Sequence, residues 1–358
     1  MSSIKESMKP QNLASPSFAP MALILVSIVG LAVMGLVLCW AYADILNDIG
    51  SLASRYYFNR QVIWNGLGLS AFVMATIVGW RRWLRSAPFV FAGWVILWFA
   101  AHMKEFVAGS STIVLIGPIS LEVWSLFPVA LALLVAWLRQ RYGGKARRIL
   151  FSIGIVAFAA ITVHVATNAN RMTHLAAFFA GERSPAASPA AYARMFVQSQ
   201  TRKAFAQAQW FSSTDVEILR ETPGNATYSM PASSAVLFGK WFMAVAWVFF
   251  TLIALGFACL WRRTEDKVKR SYFLVSGLGI IVPTVLGHCE CLGLIPMLYT
   301  SVPLVSNDTT AILASWLGGG ILVSSVVKAY EFGLVVWSRA DYTANAEKWY
   351  NVGHETEA

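Results

Sequence analysis

The sequence predicts an all-α bundle of transmembrane helices, and three observations carry that prediction. Hydrophobic residues fill 57% of the 358 positions and charged residues only 13%, against about 25% charged in soluble domains. The apolar residues gather into stretches long enough to cross a hydrocarbon core of about 30 Å as helices, which takes roughly 17 to 20 residues. Lysine and arginine then fall in alternate short loops, the pattern that orients a polytopic protein. Lipid offers the backbone no hydrogen-bond partner, so stretches of this polarity must be helical, and no alternation of the β-barrel kind is visible.

In chain order, residues 1–19 are mostly polar, with Lys5, Lys9, Pro10 and Pro16, and read as a disordered cytoplasmic tail. Eight predicted spans follow in a membrane domain covering residues 20–337: Pro20–Ala43, Val62–Trp80, Pro88–Met103, Leu121–Leu138, Ile149–Thr167, Ala235–Trp261, Tyr272–Cys289 and Thr310–Trp337. The third is short and needs extension at its ends. Ala41-Tyr42-Ala43 imitates a signal-peptidase site. The apolar run before it is longer than the roughly 7 to 15 residues of a signal-peptide core, so the first span reads as an uncleaved anchor. Residues 338–358 read as a second cytoplasmic tail.

Arg81, Arg82 and Arg85 fill the second loop, Arg139, Arg141, Lys145, Arg147 and Arg148 the fourth, and Arg262, Arg263, Lys267, Lys269 and Arg270 the sixth. The intervening short loops hold only Arg55, Arg60 and Lys104, so both termini are expected in the cytoplasm. Much of the net charge of +10 then sits where anionic lipid neutralises it. No basic patch interleaved with aromatics points to nucleic acid.

The same parity places the long polar stretch Asn168–Ser234 outside the membrane. It holds Arg171, Glu182, Arg183, Arg194, Arg202, Lys203, Asp215, Glu217, Arg220 and Glu221, with a Pro- and Ser-rich break at Ser184–Pro189. A loop longer than about 60 residues translocates largely regardless of its charge. Among its acids, Glu217 and Glu221 stand one helical turn apart and with Arg220 also read as a solvated face.

Metal and cofactor signals are weak. Cys39 and Cys259 lie within apolar spans, and four cysteines give no disulfide framework. His288-Cys289-Glu290-Cys291 has ligand-type side chains but no second ligand cluster, so no metal and no cofactor is expected. Ionisable groups inside the spans are few: His164, and Lys328 with Glu331 spaced to pair. Near the end of the chain, Pro296 and Pro303 precede the polar cluster Ser306-Asn307-Asp308-Thr309-Thr310. Irregular backbone of this kind is tolerated at membrane depth only where protein or a wet cavity covers it.

Four motifs carry a resemblance. Tyr57-Phe58-Asn59-Arg60-Gln61-Val62-Ile63-Trp64, followed by Gly66 and Gly68, resembles the start of the second helix of the SEDS (FtsW/RodA/SpoVE) family of cell-wall polymerases. Gly117-Pro118-Ile119-Ser120 resembles the G-P-F-S lead into that family's fourth helix. Val197-Gln198-Ser199 resembles its V-Q-S, and Phe238-Gly239 stands where the family has F-G after its loop. Leu292 to Ala314 resembles LGLLP…LPFISYGGSSLLA, keeping Gly293, Pro296, Pro303, Ser306 and Ile312-Leu313-Ala314. The resemblance runs from about residue 30 to 335 in the family's order.

The departures bear on chemistry. The family's Q-P-S-E-L-A-K corresponds to Glu122-Val123-Trp124-Ser125-Leu126-Phe127-Pro128, so its glutamate and lysine positions hold Ser125 and Pro128. Its P-E-x-x-T-D corresponds to Pro223-Gly224-Asn225-Ala226-Thr227-Tyr228, so Thr227 is kept and the aspartate taken as catalytic base is Tyr228. A phenol with an ordinary pKa of about 10 does not act as a general base near neutral pH. Ala235-Val236-Leu237 replaces the family's Gly-Glu-Glu, the S-Y-G-G-S-S turn has lost both glycines, and two of the usual ten spans and the Q-P-D-L-G-T motif are missing.

The resemblance thus implies a SEDS-like bundle with two helices missing and one large extracytoplasmic loop, in the bacterial cytoplasmic membrane. It implies a part in peptidoglycan assembly, in division or in shape control, as a scaffold or precursor-binding remnant. The partner implied is a bitopic penicillin-binding protein or another membrane protein of the division or elongation machinery, with an isoprenoid-linked precursor as ligand. The substrate-binding positions it implies are Arg60, Gln61, Gln198, Ser199, Thr227, Pro303, Ser306 and Asp308. Two other functions remain open at this point: an active glycosyltransferase using Asp215, Glu217 or Glu221 as a relocated acid, and an unrelated small-molecule transporter.

Overall fold

The structure, a computed structural model, describes residues 18–48, 54–108, 113–116, 119–152, 154, 176, 178–179, 189–211, 230–296, 302–305 and 308–327. Helix α1 is Phe18–Asp48, α2 Ser54–Val78, α3 Trp80–Ala108 and α4 Val123–Tyr142. After them come α5 (Pro189–Gln207), α6 (Met230–Phe238), α7 (Lys240–Arg263), α8 (Lys267–Cys291) and α9 (Thr309–Val326). Among the described residues, seven helices are long and apolar enough to cross a membrane. The protein is therefore a multi-pass helical bundle, as the composition predicts. Of the expected span Ile149–Thr167 all but the first residues lie outside the described residues, as do residues 1–17 and 338–358, Lys328, Glu331 and His164. Phe18 and Ala19, expected in the first tail, begin α1 instead.

The spans pack into one core. Helix α9 lies along α2, α4 packs on α8 and α3, and α1 packs on α7 and α2. Ile24, Ile28, Leu31 and Leu38 of α1, Leu133 of α4, Phe250 and Ile253 of α7, Tyr272 and Phe273 of α8 and Ile312 and Ile321 of α9 fill the interior. The closest seam is between α2 and α9. A Cβ on Gly320 would run into the carbonyl of Phe72, and one on Gly68 into the indole of Trp316. Along the same seam the Trp316 Nε1–H donates to Asn65 Oδ1 at 3.0 Å, and Phe72 meets Trp316 edge to face. Small residues that let backbones approach this closely are the usual means of helix association in lipid.

The structure corrects several boundaries. Arg81, Arg82 and Arg85 stand in the first two turns of α3, and only Gly79, with φ +80°, separates α3 from α2. The third span therefore gains eight residues at its start, and Pro88 falls inside the helix. Arg60 likewise belongs to α2 rather than to a loop. The lead into the fourth span is a β-hairpin, with β1 (Ile113–Ile116) paired antiparallel to β2 (Ile119–Glu122). The β-branched Ile113, Val114, Ile116 and Ile119 favour strands. The expected continuous span Ala235–Trp261 is broken at Gly239 into α6 and α7. Gly239 has φ +90°, and a Cβ there would stand 2.5 Å from the carbonyl oxygen of Trp210.

Candidate functional site

Among the described residues, a cluster of polar side chains from several elements meets at one end of the bundle. Topology brings there the start of α2, the end of β2 with the start of α4, the end of α8 and the start of α9. The arginine- and lysine-rich ends of α4 and α7 and the starts of α3 and α8 lie at the other.

Three consecutive residues at the start of α9 organise this polar end. Asp308, 5% exposed, is the N-cap: its Oδ1 accepts the Thr310 N–H at 2.9 Å. Its Oδ2 accepts the Ser125 hydroxyl from α4 at 2.6 Å. The Thr310 hydroxyl accepts the Glu122 N–H at 2.9 Å, tying α9 to the last residue of β2. The Thr309 hydroxyl accepts Arg60 Nη2 of α2 at 3.4 Å. A carboxyl at a helix N-terminus is favoured by the helix dipole, and its hydrogen bond to a hydroxyl is worth about 1.5 to 3 kcal/mol as a charged-group bond. Asp308 to Thr310 together therefore tie α9 to α2, β2 and α4.

Gln61, beside Arg60, has the opposite character. It is 0% exposed, yet neither its Oε1 nor its Nε2 has a hydrogen-bond partner. It faces the seam between α1 and the segment 302–305, since a Cβ on Gly35 would lie 3.1 Å from its Nε2 and would run into the carbonyl of Leu304. That segment is buried and irregular: the Val305 N–H donates to the Pro303 carbonyl at 2.8 Å, and Leu304 holds φ +65°. A non-glycine residue in the left-handed region costs about 1 to 3 kcal/mol, and such strain clusters at functional sites. Pro303 thus shapes the wall that Gln61 faces.

Gln198 lies on α5, above the end of α8. Its Nε2 donates to the carbonyls of Glu290 at 3.0 Å and Ile295 at 2.7 Å, so both amide hydrogens are committed to protein. Ser199 points elsewhere, donating to the Phe196 carbonyl within its own helix at 2.9 Å. Glu290, at the end of α8, is buried. Of the sequence-derived positions, the structure gathers Arg60, Gln61, Pro303 and Asp308, anchors Gln198 to the rim and leaves Ser199 apart. Thr227, Tyr228, Ser306, Asp215, Glu217 and Glu221 lie outside the described residues.

Ser125, Glu122, Thr309 and Thr310 join the site although sequence reading gave them no role. The signal was present in part. Ser125 and Asp308 are both departures from the motifs that the chain otherwise resembles, and they are the two ends of the 2.6 Å bond. Among the described residues no group of three His, Cys, Asp or Glu side chains gathers as a metal site.

Comparison with known proteins supplies the fold. No protein-family model matches the sequence, and no curated protein sequence does. A solved structure on the coordination of polymerization and crosslinking by a peptidoglycan synthase complex contains a chain with TM-score 0.60 at 14% identity, covering 86% of this chain and 98% of that one. A point mutant of the rod shape determining protein RodA from Thermus thermophilus matches with TM-score 0.57 at 15% identity, over 85% and 96%. This chain has the RodA fold. Unmutated RodA from the same organism agrees, with TM-score 0.53 at 14% identity over 85% and 95%. The SEDS resemblance read from four short motifs is thus borne out in the fold, and the polar end described above belongs to a RodA-like bundle.

Proposed function

We propose that this protein serves bacterial cell-wall assembly as a RodA-like component of the cytoplasmic membrane. The single observation that carries the proposal is its match, over nearly all of both chains, to a subunit of a peptidoglycan synthase complex. Within that role, the protein acts as a scaffold or holds an isoprenoid-linked precursor without polymerising it. Two features support this. Tyr228 replaces the carboxyl that the resemblance calls for, and the hydroxyls and carboxyl at the start of α9 are engaged with α2, β2 and α4. Gln61, with its unpartnered amide, is the group in this site that best suits a polar ligand. Both termini lie in the cytoplasm in this reading, and the polar end opens outward. The partner is a bitopic penicillin-binding protein.

The test uses purified full-length protein with labelled lipid-linked disaccharide-peptide, together with crosslinking in the native membrane. No glycan polymer and a crosslink to a bitopic cell-wall synthase are expected; polymer formation overturns the non-catalytic role, and the absence of any such partner overturns the scaffold. One observation favours a second reading. Asp308 places an acid 2.6 Å from the Ser125 hydroxyl inside the polar end. If polymer does form, its loss on Asp308→Asn identifies that acid as the replacement.

A further inference from the structure

The turn after α5 exposes two large aromatics in succession. Trp210 is 60% exposed and Phe211 83%, whereas the residues around them pack: Ala208, Ala235 and Met243 form a small buried cluster against Phe205. The turn is fixed to the first turn of α7 by its backbone. The Lys240 N–H donates to the Gln209 carbonyl at 2.8 Å and the Trp241 N–H to the Trp210 carbonyl at 3.2 Å. Gly239 lets the two segments come this close, since any side chain there would meet the same Trp210 carbonyl. The aromatics are thus one hydrogen bond from the start of a membrane-crossing helix.

That attachment sets their depth. Helix α7 has 24 residues, which at 1.5 Å each is about 36 Å, slightly more than the roughly 30 Å hydrocarbon core. Its first turn therefore lies at the boundary between acyl chains and headgroups, the level at which tryptophan is enriched. Trp241, on that turn, is itself 38% exposed. Cations accompany the aromatics. Arg202 and Lys203 are exposed on α5, a helix whose sequence has no acid, and Lys240 Nζ sits 5.7 Å from the centre of the Phe205 ring.

We infer that the corner formed by α5, Trp210, Phe211 and the start of α7 is a lipid-docking surface, which inserts Phe211 among acyl chains and holds anionic phospholipid headgroups with Arg202, Lys203 and Lys240. Aromatics on an apolar edge with cations beside them are the composition of interfacial segments. The surface fixes the helical part of the long loop to the membrane plane. It depends neither on the cell-wall role nor on which side of the membrane the loop occupies.

The test replaces Phe211 by the photocrosslinker p-benzoylphenylalanine in the full-length protein, reconstituted in vesicles of equimolar phosphatidylglycerol and phosphatidylcholine. A second sample carries the crosslinker at Trp241, on the span itself. After irradiation, mass spectrometry should find lipid adducts at both positions, with phosphatidylglycerol enriched about threefold at 211. Lys203→Glu should reduce that enrichment towards unity while adducts persist. Adducts at 241 with none at 211, or a crosslink from 211 to protein alone, overturn the lipid assignment; equal capture of the two lipids at 211 overturns the anionic part.

Discussion

Asp308 works as a cap and as a tertiary link, and its two oxygens can be separated by mutation. Ser125→Ala removes the bond to Oδ2 and is expected to cost about 1.5 to 3 kcal/mol of stability. Asp308→Ala should cost more, because it also removes the N-cap, worth about 0.5 to 2 kcal/mol. The double variant should cost less than the sum, since the shared bond is lost only once. Thermal unfolding of the four proteins in one detergent checks this; strict additivity would mean that the pair does not interact. Gln61 should behave in the opposite way. Gln61→Leu replaces a buried amide that has no partner and should raise stability by about 1 kcal/mol, while weakening whatever the polar end binds. A Gln61→Leu protein that melts lower than the parent contradicts an unpartnered amide.

At the level of elements, the α2–α9 seam gives a comparison within one run of three glycines. Gly320→Ala places a methyl group against the Phe72 carbonyl and 2.8 Å from the Ala75 Cβ; overpacking of this sort costs about 1 to 3 kcal/mol. Two residues earlier, Gly318→Ala meets only Val129 Cγ2 at 3.6 Å and should gain up to about 1 kcal/mol of helix propensity. The melting temperatures should move in opposite directions. Sequence reading goes far for these elements and stops for physical reasons. Long apolar runs show where the spans are, because lipid leaves helix as the only solution. They do not show the break at Gly239, since a glycine inside an apolar run leaves the pattern intact and only the approach of Trp210 demands its positive φ. Sequence reading misses the hairpin, since it makes this stretch a lead into a helix and begins the fourth span at Leu121; the signal for it was the β-branched Ile113, Val114, Ile116 and Ile119.

For the whole molecule, the fold was legible from motif order, but the site was legible only in pieces. Ser125 and Asp308 lie 183 residues apart, so nothing local signals that they meet; that follows from α4 and α9 sharing one end of the bundle. Each could be seen separately as off-pattern, and only packing shows that the two departures meet. The same reasoning bears on activity. Tyr228→Asp alone is expected to yield no polymer from lipid-linked disaccharide-peptide, because Ser125, Pro128 and Val236 also differ from the pattern. Polymer from that single variant, measured with labelled precursor, would show that the bundle had kept the rest of the machinery.

The seam between α2 and α9 also sets a timetable for the chain's birth. Asn65 and Trp316, which meet across it, are separated by 251 residues; at a synthesis rate of about 5 to 20 residues per second, that is on the order of ten to fifty seconds. Through that interval α2 has left the ribosome with Arg60 and Asn65 on it and without the helix whose Thr309 and Trp316 they meet. The last helix in the described chain thus completes the second.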